Sequence, residues 1–388
     1  MKLVLGCDNY IYRCDGAFYA KASDKAFYDR YLRVFDALRI VARTRTASAE
    51  EVARYVRLDD ARTEVWPVYF FRGPKQYLPK ALRVRHDMRG AADGCGACIV
   101  RLPSITGSNL LAEVRRKGIP YAVEIVDDAH DEMTGTRNPL YKAIWLLIHH
   151  DLLRACRHAA GIACVTESYL QQRYGNPDPA CFKSHYSSIA LDQAFYAAPR
   201  ERRHGAEFAI CHVAHPIAGR RKGQEELIRA ARIVADRGYA VRLRFAGEGP
   251  MVPVFEELAR ELGVSDRVEF VGFLDRRGLR RLLDESDAMV FPTHAEGLPR
   301  VVIEAMATGL PVISTRVSGI PELLEPDMML TPGDTQGFAR RIVALIDDDE
   351  LYRRASAHNF RNSLKYESTL LQARRDEFYR RLRSRAEK

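Results

Sequence analysis

The sequence has no long apolar run at its start or along its 388 residues. Lys2 is followed only by Leu3, Val4 and Leu5 before Gly6, which is well short of the apolar region of a secretory signal. The most apolar helical stretch, residues 143–148, ends at His149 and is too short to cross a bilayer. We therefore expect a cytoplasmic protein, either soluble or held at the inner face of the cell membrane.

Cysteine is scattered rather than clustered, with eight residues along the chain. Cys95 and Cys98 form one Cys-x-x-Cys pair, but no second pair or nearby histidine completes the four ligands of a structural zinc site. This distribution favours reduced thiols over a disulfide scaffold and favours a glycine-rich turn over a zinc site.

Lysine is scarce, with 11 residues against 49 arginines, yet the formal net charge is +9. No helix carries a stripe of arginines interleaved with aromatic residues, so we expect no nucleic-acid partner. Arg83, Arg85 and Arg89, together with the arginine-rich end of the chain, offer a basic surface for peripheral association with an anionic membrane.

Short β-branched runs alternate with amphipathic segments of helical length, which predicts α/β architecture with parallel sheets. The clearest run of five strands and four helices lies within residues 208–314 and predicts one doubly wound domain. Residues 197–205 have the composition of an exposed connector. We therefore predict an N-terminal domain over 1–200, a C-terminal domain over 201–364, and a last helix over 365–388 that packs back on the first domain.

The chemically informative segment runs from Phe291 to Ile313 and contains Glu296 and Glu304. Pro299 stands where a helix should begin and Gly309 where it should end. The backbone N–H groups around Gly297 would then lie at a helix N-terminus, an arrangement that attracts phosphate oxygens. Both glutamates would face one crevice at the carboxyl edge of the sheet.

This segment resembles the Glu-x7-Glu motif of the retaining glycosyltransferases with the fold called GT-B, most closely those of family 4. The resemblance continues through residues 245–250 (Phe-Ala-Gly-Glu-Gly-Pro), 268–273 (Val-Glu-Phe-Val-Gly-Phe) and 319–324 (Gly-Ile-Pro-Glu-Leu-Leu). It implies two Rossmann-like, doubly wound parallel-sheet domains facing across a cleft, with the N-terminal domain binding the acceptor and the C-terminal domain binding a nucleotide-sugar donor.

The resemblance also implies roles for single residues. Glu304 would accept hydrogen bonds from the ribose of the donor, and Glu296 would lie beside the transferred sugar. Lys222 matches the lysine that such enzymes place on the diphosphate, where a fixed cation stabilises the charge of the leaving group. We expect Glu296 and Lys222 to be the catalytic residues. The remaining residues expected at the donor are Gly297, Leu298, Pro299, Arg300, Gly272, Phe273, Gly247 and His215.

Two of these expectations depart from a simple match. Pro299 has no N–H to donate, so only its neighbours can contact the diphosphate through the backbone. His215 stands near the position where family members often carry an arginine, so either a neighbouring arginine substitutes or the phosphate is held less firmly.

The N-terminal half carries weaker signals. Gly16 follows the first strand and resembles the glycine-containing loop that faces the acceptor, although a plain turn explains it equally well. Asp127, Asp128 and His130 follow a strand at residues 121–126, and acidic groups at such an end usually mark the mouth of a site. We treat them as candidates for acceptor binding, with a solvated loop histidine as the alternative for His130.

The resemblance predicts transfer of a sugar, with retention, from a nucleotide diphosphate sugar to a hydroxyl of a glycan or lipid-linked glycan, in synthesis of a cell-surface polysaccharide or glycoconjugate. A UDP-sugar is expected ahead of a GDP-sugar. No metal or other cofactor is expected, because no Asp-x-Asp lies at the donor crevice. The alternatives are a sugar-nucleotide epimerase or phosphorylase of the same fold, and a non-catalytic nucleotide-binding module.

Overall fold

The computed structural model describes residues 1–135 and 138–388. The chain forms two compact units, and the first unit is built from both ends of this sequence. Residues Met1–Tyr186 and Gln372–Lys388 form the first unit, and residues Ser187–Leu371 form the second.

The first unit contains a nine-stranded sheet. Its strands are β1 Lys2–Cys14, β2 Ala17–Ala20, β3 Ala37–Thr46, β4 Val56–Arg57, β5 Thr63–Tyr69, β6 Ala97–Leu102, β7 Tyr121–Ile125, β8 Gly161–Cys164 and β9 Phe182–His185. The parallel order is β5-β3-β1-β6-β7-β8-β9, while the outer half of β1 pairs with β2 in a hairpin that continues to β4. The long connections between parallel strands carry helices, as parallel pairing requires.

Eight α-helices of the described residues lie in the first unit before the chain leaves it. They are α1 Ala22–Asp29, α2 Ala49–Val52, α3 Gly73–Tyr77, α4 Ala81–Asp87, α5 Ile105–Arg116, α6 Ala129–Gly135, α7 Pro139–Arg157 and α8 Tyr169–Tyr174. Apart from Arg101 and Glu124, the residues of the central strands β6, β7 and β8 are apolar and buried, which is typical of a sheet covered on both faces.

The second unit contains a six-stranded, all-parallel sheet in the order β12-β11-β10-β13-β14-β15. Its strands are β10 Phe208–Val213, β11 Val241–Ala246, β12 Val268–Gly272, β13 Ala288–Phe291, β14 Val312–Thr315 and β15 Met329–Leu330. Its helices are α9 Gln224–Asp236, α10 Val252–Glu261, α11 Arg276–Glu285, α12 Arg300–Ala307, α13 Thr335–Asp347 and α14 Asp349–Ser363. The strand order reverses between β10 and β13, and the carboxyl edge at such a switch point is where doubly wound sheets bind ligands.

Residues 187–200, which we assigned from the sequence to the N-terminal domain, belong to the second unit. Arg200 explains the difference. Its guanidinium donates to the backbone carbonyls of Thr308, Leu283 and Ser286, and its own N–H donates to Ser356 Oγ. These bonds fix the end of the segment on the second unit.

The last helix, α15 Ser368–Ala386, enters the first unit from Gln372 onward. The Tyr379 hydroxyl donates to Glu124 Oε1 at 2.8 Å, and the hydroxyls of Tyr31 and Tyr186 donate to the same buried carboxylate, each at 2.9 Å. The Tyr31 and Tyr379 rings stack with centroids 4.9 Å apart. Burial and the nearby Glu124 charge hold the pKa of all three tyrosines well above the usual range.

None of the helices within residues 1–135 and 138–388 is both long enough and apolar enough to span a bilayer.

Candidate active site

Lys222 and Glu296 form an ion pair at the carboxyl edge of the second sheet. Lys222 lies in the loop between β10 and α9, and Glu296 lies in the loop between β13 and α12. Gly223 allows these loops to approach, because a Cβ at this position would lie 2.1 Å from the Pro292 carbonyl oxygen. Its φ of +78° also favours glycine.

Glu296 is held from several sides. Its Oε1 accepts a hydrogen bond from Thr293 Oγ1 at 3.0 Å, and its backbone N–H donates to Ser318 Oγ at 3.3 Å. The Glu296 side chain is only 12% exposed, whereas the Lys222 side chain is 39% exposed. The pair therefore presents a fixed carboxylate beneath an ammonium group that solvent or a ligand can reach.

His212 supports the Lys222 loop from below. Its Nε2 lies 2.7 Å from the Lys222 carbonyl oxygen, so the ring donates there as the Nε2–H tautomer. The ring is buried against Phe245 and Phe291, with centroids 5.3 Å away in each case. Burial lowers the His212 pKa to about 4, so the imidazole is neutral at physiological pH. His212 is a positioning residue for Lys222.

Glu304 lies in the second turn of α12, in a half-buried position. Burial raises its pKa from 4.5 to about 7, against the opposing positive charges of Arg300 and Arg276. Such a shift is typical of a carboxyl group held ready for a polar ligand, although structural groups also show it. Near neutral pH the free protein therefore carries Glu304 in both protonation states.

The loop before α12 differs slightly from the sequence prediction, because Pro299 is the N-cap and Arg300 the first helical residue. Gly297 and Leu298 are buried, and Arg300 is exposed. The Gly297 carbonyl oxygen accepts a hydrogen bond from the Gly319 N–H at 3.1 Å. This bond joins the loop to the segment after β14, so the helix N-terminus is held by a second loop.

Gly247, Gly272, Phe273 and His215 lie together at the ends of neighbouring strands. The Gly247 N–H donates to the Gly272 carbonyl oxygen at 2.8 Å, and a Cβ on Gly247 would lie 1.8 Å from the Ala214 carbonyl oxygen. The Phe273 ring is 58% exposed and meets the His215 ring edge to face at 5.1 Å. Two exposed rings at a sheet edge form a surface on which a nucleotide base can stack.

The first unit gathers a separate polar cluster after β7. Asp128 is almost fully buried and pairs with Arg173 Nη1 at 2.6 Å. The same nitrogen lies 2.8 Å from His130 Nδ1, so the Nδ1 lone pair of His130 accepts from the guanidinium. The Tyr174 hydroxyl donates to Asp128 Oδ1 at 2.5 Å.

Two other expected residues of the first unit have local roles. Asp127 Oδ1 accepts a hydrogen bond from the Asp128 N–H at 2.9 Å, at the start of the same loop. Gly16 lies in the two-residue turn of the β1–β2 hairpin, where both Asp15 and Gly16 have positive φ. The positive φ in this turn gives Gly16 a local reason to be glycine, and its expected place at the acceptor stays a prediction.

The sequence did not single out several residues that complete these two groups. Thr293 and Ser318 hold Glu296, and Arg276 acts on Glu304 through its charge. In the first unit, Arg173 and Tyr174 on α8 hold Asp128. Thr293 shares the loop of Glu296, whereas the other four residues reach their partners from another element or loop, so no local motif marks those four. Only the rule that strand ends share one edge could have pointed to such partners.

Residues 207–348 match the family described as glycosyl transferases group 1. Protein CapJ of Staphylococcus aureus is 21% identical over 335 residues, covering 86% of this chain and 83% of CapJ. The putative colanic acid biosynthesis glycosyltransferase WcaL of Escherichia coli is 35% identical over 142 residues, covering 34% of this chain and 35% of WcaL. The match therefore spans about a third of WcaL and most of CapJ.

Two solved structures share the fold over nearly the whole chain. Sucrose-phosphate synthase from Thermosynechococcus elongatus has a TM-score of 0.74 at 14% identity and covers 99% of both chains. Anabaena HepE in complex with UDP-glucose has a TM-score of 0.66 at 16% identity and covers 97% of this chain and 98% of HepE. The predicted family and the predicted fold are both confirmed. The second unit therefore matches the group 1 glycosyltransferases over residues 207–348, and the chain has the two-domain GT-B fold.

Proposed function

We propose that the protein transfers a sugar, with retention of anomeric configuration, from a nucleotide diphosphate sugar to a hydroxyl group of a glycan or lipid-linked glycan. The observation that carries this proposal is the Lys222–Glu296 pair beside the start of the helix that bears Glu304. This arrangement places a cation, a fixed carboxylate and a helix N-terminus at one sheet edge. Together these features can bind a sugar diphosphate and stabilise the charge that develops as it is cleaved.

The half-exposed ammonium of Lys222 has a direct role in this proposal. In the free protein it pairs with Glu296, and a bound diphosphate would compete for it as negative charge grows on the leaving oxygen. Glu296 would then be released toward the transferred sugar, where its negative charge stabilises positive character on the ring. His212 keeps the lysine loop in place during this exchange.

Retention of configuration follows in this proposal from attack on the face that the diphosphate leaves. The departing phosphate oxygen takes the acceptor proton, so the new glycosidic bond forms and the sugar–phosphate bond breaks without a covalent enzyme intermediate. Glu296 orients the donor and is not required as a nucleophile. Metal independence is part of the same proposal, and addition of a chelator should leave turnover unchanged.

A UDP-sugar is the donor we propose, ahead of a GDP-sugar. Support comes from Anabaena HepE, whose structure was solved with UDP-glucose and which shares the fold. The rings of Phe273 and His215 offer a stacking surface for the base. Glu304 on α12 would accept the hydroxyl hydrogens of the ribose.

A polysaccharide or glycoconjugate precursor is the acceptor class we propose. WcaL is described as a colanic acid biosynthesis glycosyltransferase, and this likeness supports a role in synthesis of a surface polysaccharide. In the first unit, the cluster of Asp128, His130 and Arg173 contains polar groups that can form hydrogen bonds with the hydroxyl groups of such a substrate. Localisation at the inner face of the cell membrane belongs to this part of the proposal.

A donor screen followed by product analysis tests the proposed function. UDP-, GDP- and ADP-glucose are compared by the rise in melting temperature that each causes, because specific binding stabilises the folded state by mass action. The stabilising nucleotide is then supplied as its sugar conjugates with glycan and lipid-linked acceptors, and the anomeric configuration of the product is read by NMR. An inverted product would contradict the proposed mechanism.

The same assay separates the alternatives. A sugar-nucleotide epimerase converts the donor without any acceptor, and a phosphorylase needs only phosphate and a glycoside. A non-catalytic nucleotide-binding module would raise the melting temperature but release no nucleotide. The ion-paired Glu296 favours an enzyme over such a module, because a fixed carboxylate beside the sugar position is unnecessary for binding alone.

A further inference from the structure

A cavity of about 690 Å³ lies in the first unit and is lined by residues of α3, α4, the turn after α4, α5 and α7. Its lining contains five arginines and only two carboxylates, so it carries an excess of positive charge. Neither the donor residues nor the cluster around Asp128 contributes to the lining. The proposed transfer reaction leaves this cavity without a role.

Three of the five arginines are available to a ligand. Two arginines of the lining already have partners, because Arg116 pairs with Glu113 and Arg115 donates to the Tyr121 hydroxyl. Within the described part of the chain, the side chains of Arg85, Arg89 and Arg154 form no hydrogen bond or ion pair. A guanidinium group has a planar set of donors that matches two oxygens of a phosphate. The cavity is therefore suited to a phosphate ester.

Exposed leucines extend the same surface along α4 and the turn before it. Leu78 is 54% exposed and Leu82 is 82% exposed. Leu82 and Arg85 are three residues apart on α4 and therefore share one side of that helix, while Leu78 lies in the 3-10 turn before α4 and Arg89 in the turn after it. Along this segment the exposed leucines come first and the cavity arginines follow.

Helix α7 repeats this arrangement. Leu140 is 56% exposed and Leu147 is 68% exposed. Leu147, Asp151 and Arg154 follow at spacings of four and three residues, and the last two line the cavity. We call the side chains of Leu78, Leu82, Leu140, Leu147, Arg85, Arg89 and Arg154 the leucine–arginine face.

We propose that the leucine–arginine face docks on the surface of an anionic phospholipid bilayer, with lipid phosphate held by the cavity arginines. Exposed leucines beside unpaired basic groups are the combination that binds the interface of a membrane, where the apolar side chains enter the headgroup boundary. Each basic residue near an anionic surface strengthens binding by about 1 kcal/mol, or roughly fivefold.

The charge on this face distinguishes a bilayer from a protein partner. A second copy of this chain would bring the same arginines opposite themselves, and like charges oppose such a contact. This inference deepens the proposed function, because a lipid-linked acceptor is met at a bilayer surface. Its test measures binding to vesicles and is therefore separate from a test of sugar transfer.

Vesicle sedimentation of the full chain tests the proposal. Vesicles of phosphatidylcholine alone are compared with vesicles that also contain phosphatidylglycerol, at low salt and at about 0.15 M ionic strength, where the Debye length is about 8 Å. We expect binding to the anionic vesicles that weakens as salt rises, and much weaker binding to neutral ones. Equal binding to both kinds of vesicle, or none to either, would overturn the proposal.

Two variants assign the binding to this face. Arg85→Gln/Arg89→Gln/Arg154→Gln should lose at least tenfold in affinity for anionic vesicles. Leu82→Ser/Leu147→Ser should also bind less, with its remaining binding more easily released by salt. Because all five side chains are exposed, both variants should fold, and retention of the melting temperature and of nucleotide binding checks this.

A matched control removes the same charge from the second unit. Arg229→Gln/Arg232→Gln/Arg260→Gln replaces three exposed arginines of α9 and α10 and lowers the net charge by the same amount. Vesicle affinity should stay close to that of the parent. If this control loses as much vesicle affinity as the triple variant of Arg85, Arg89 and Arg154, then only net charge matters and the assignment of binding to the leucine–arginine face is wrong.

A further arm separates lipid phosphate from a soluble phosphate compound. Inorganic phosphate is titrated into the protein without vesicles, with chloride at equal ionic strength as the reference. Two results together would assign the cavity to a soluble ligand and overturn membrane docking. The first is phosphate binding that the three arginine substitutions abolish, and the second is vesicle binding that Leu82→Ser/Leu147→Ser leaves unchanged. A dimer that the leucine substitutions dissociate would assign the face to a second copy, with the same consequence.

Discussion

At the scale of single residues, charge placement at the donor site decides the chemistry we propose. Lys222 and Glu296 neutralise each other in the free protein, while Glu304 on the next helix is half-protonated near pH 7. The first pair is suited to a charge that develops during the reaction. Glu304 is suited to binding uncharged hydroxyl groups. Both of its protonation states can form hydrogen bonds with hydroxyls, but the two states bind them with different strength.

Replacement of Lys222 tests the first of these roles. Lys222→Gln keeps a polar side chain but removes the cation, so kcat should fall by roughly 10² to 10³, the usual cost of losing one group that stabilises developing negative charge. Steady-state kinetics with the donor identified by the screen measures the change. Lys365→Gln, at an exposed position of the same unit, is the matched control and should leave kcat unchanged. Parental turnover in Lys222→Gln would contradict the assignment.

Glu304 predicts a dependence on pH. The carboxylate accepts two hydroxyl hydrogens, and protonation removes part of that capacity. Affinity for the nucleotide should therefore rise about fivefold, or ~1 kcal/mol, as pH increases through 7. Calorimetric titration at pH values on both sides of 7 measures this change. Glu304→Gln should bind more weakly and with no such rise, and a retained rise would assign it to another group.

The raised pKa of Glu304 also has a consequence for stability. The folded state holds the proton up to pH near 7, whereas the unfolded chain releases it near 4.5. Stability is therefore complete below pH 4.5 and declines as pH rises through 7, by at most roughly 3 kcal/mol. Glu304→Gln should melt at a higher temperature than the parent at pH 8, with a smaller difference at pH 5.

At the scale of elements, helix α9 shows how backbone geometry sets the site. Gly223 precedes the helix and Gly238 follows it, and both have positive φ. They differ in surroundings, because a Cβ on Gly223 would meet Pro292 whereas one on Gly238 would have no atom within 4 Å. The two positions therefore separate backbone strain from a steric clash.

Alanine at these two positions gives a matched comparison. Gly238→Ala should cost roughly 1–2 kcal/mol, the usual penalty of a left-handed backbone, with nucleotide affinity unchanged. Gly223→Ala carries the same penalty and must also displace the loop of Lys222 from that of Pro292, so both stability and nucleotide affinity should fall further. Chemical denaturation and nucleotide titration measure the two effects. Equal losses would mean that the close approach has no role in the site.

The five strands and four helices that the sequence predicts within residues 208–314 are present in the second unit as β10–β14 and α9–α12. The strands Phe208–Val213 and Ala288–Phe291 are short, mostly apolar runs, which are distinctive in a parallel sheet. The same approach missed β3, which contains the buried Arg39 and Arg43.

Those arginines are satisfied by distant groups. Arg39 donates to the carbonyls of Ala91 and Asp93, and Arg43 donates to the Phe71 carbonyl while its guanidinium lies 4.5 Å from the centre of the Tyr10 ring. Such partners become visible only in three dimensions. Ser318, Arg173 and Tyr174 escaped prediction for the same reason. The sequence singled out Lys222, Glu296 and Glu304 through their resemblance to the motifs of a known family, and their roles stay predictions.

At the scale of the whole molecule, the first unit depends on residues that follow the second unit in sequence. Tyr379 of α15 contributes one of three hydroxyl hydrogen bonds to buried Glu124, and Asp376 forms a two-pronged ion pair with Arg33. A buried carboxylate is costly when a partner is lost, because its remaining charge is not solvated. The last helix is thus part of the core of the first unit.

Removal of a single hydroxyl tests this dependence. Tyr379→Phe should lower the free energy of unfolding by about 1–3 kcal/mol, with nucleotide affinity unchanged. Tyr239→Phe is the matched control, because its hydroxyl donates to Asp347 in an exposed position of the second unit, and its cost should stay within about 0.5 kcal/mol. Urea denaturation followed by circular dichroism measures both. Equal costs would show that Glu124 tolerates the loss.

The interruption of the first unit by residues 187–371 has a consequence during synthesis on the ribosome. At about 5–20 residues per second, the ribosome needs roughly 10 to 40 s to translate the intervening segment. Throughout that interval the nascent first unit lacks α15, and Glu124 lacks the hydroxyl of Tyr379. The second unit can therefore mature cotranslationally while the first still awaits its final helix, and premature termination before residue 372 would release a polypeptide with an open hydrophobic interior.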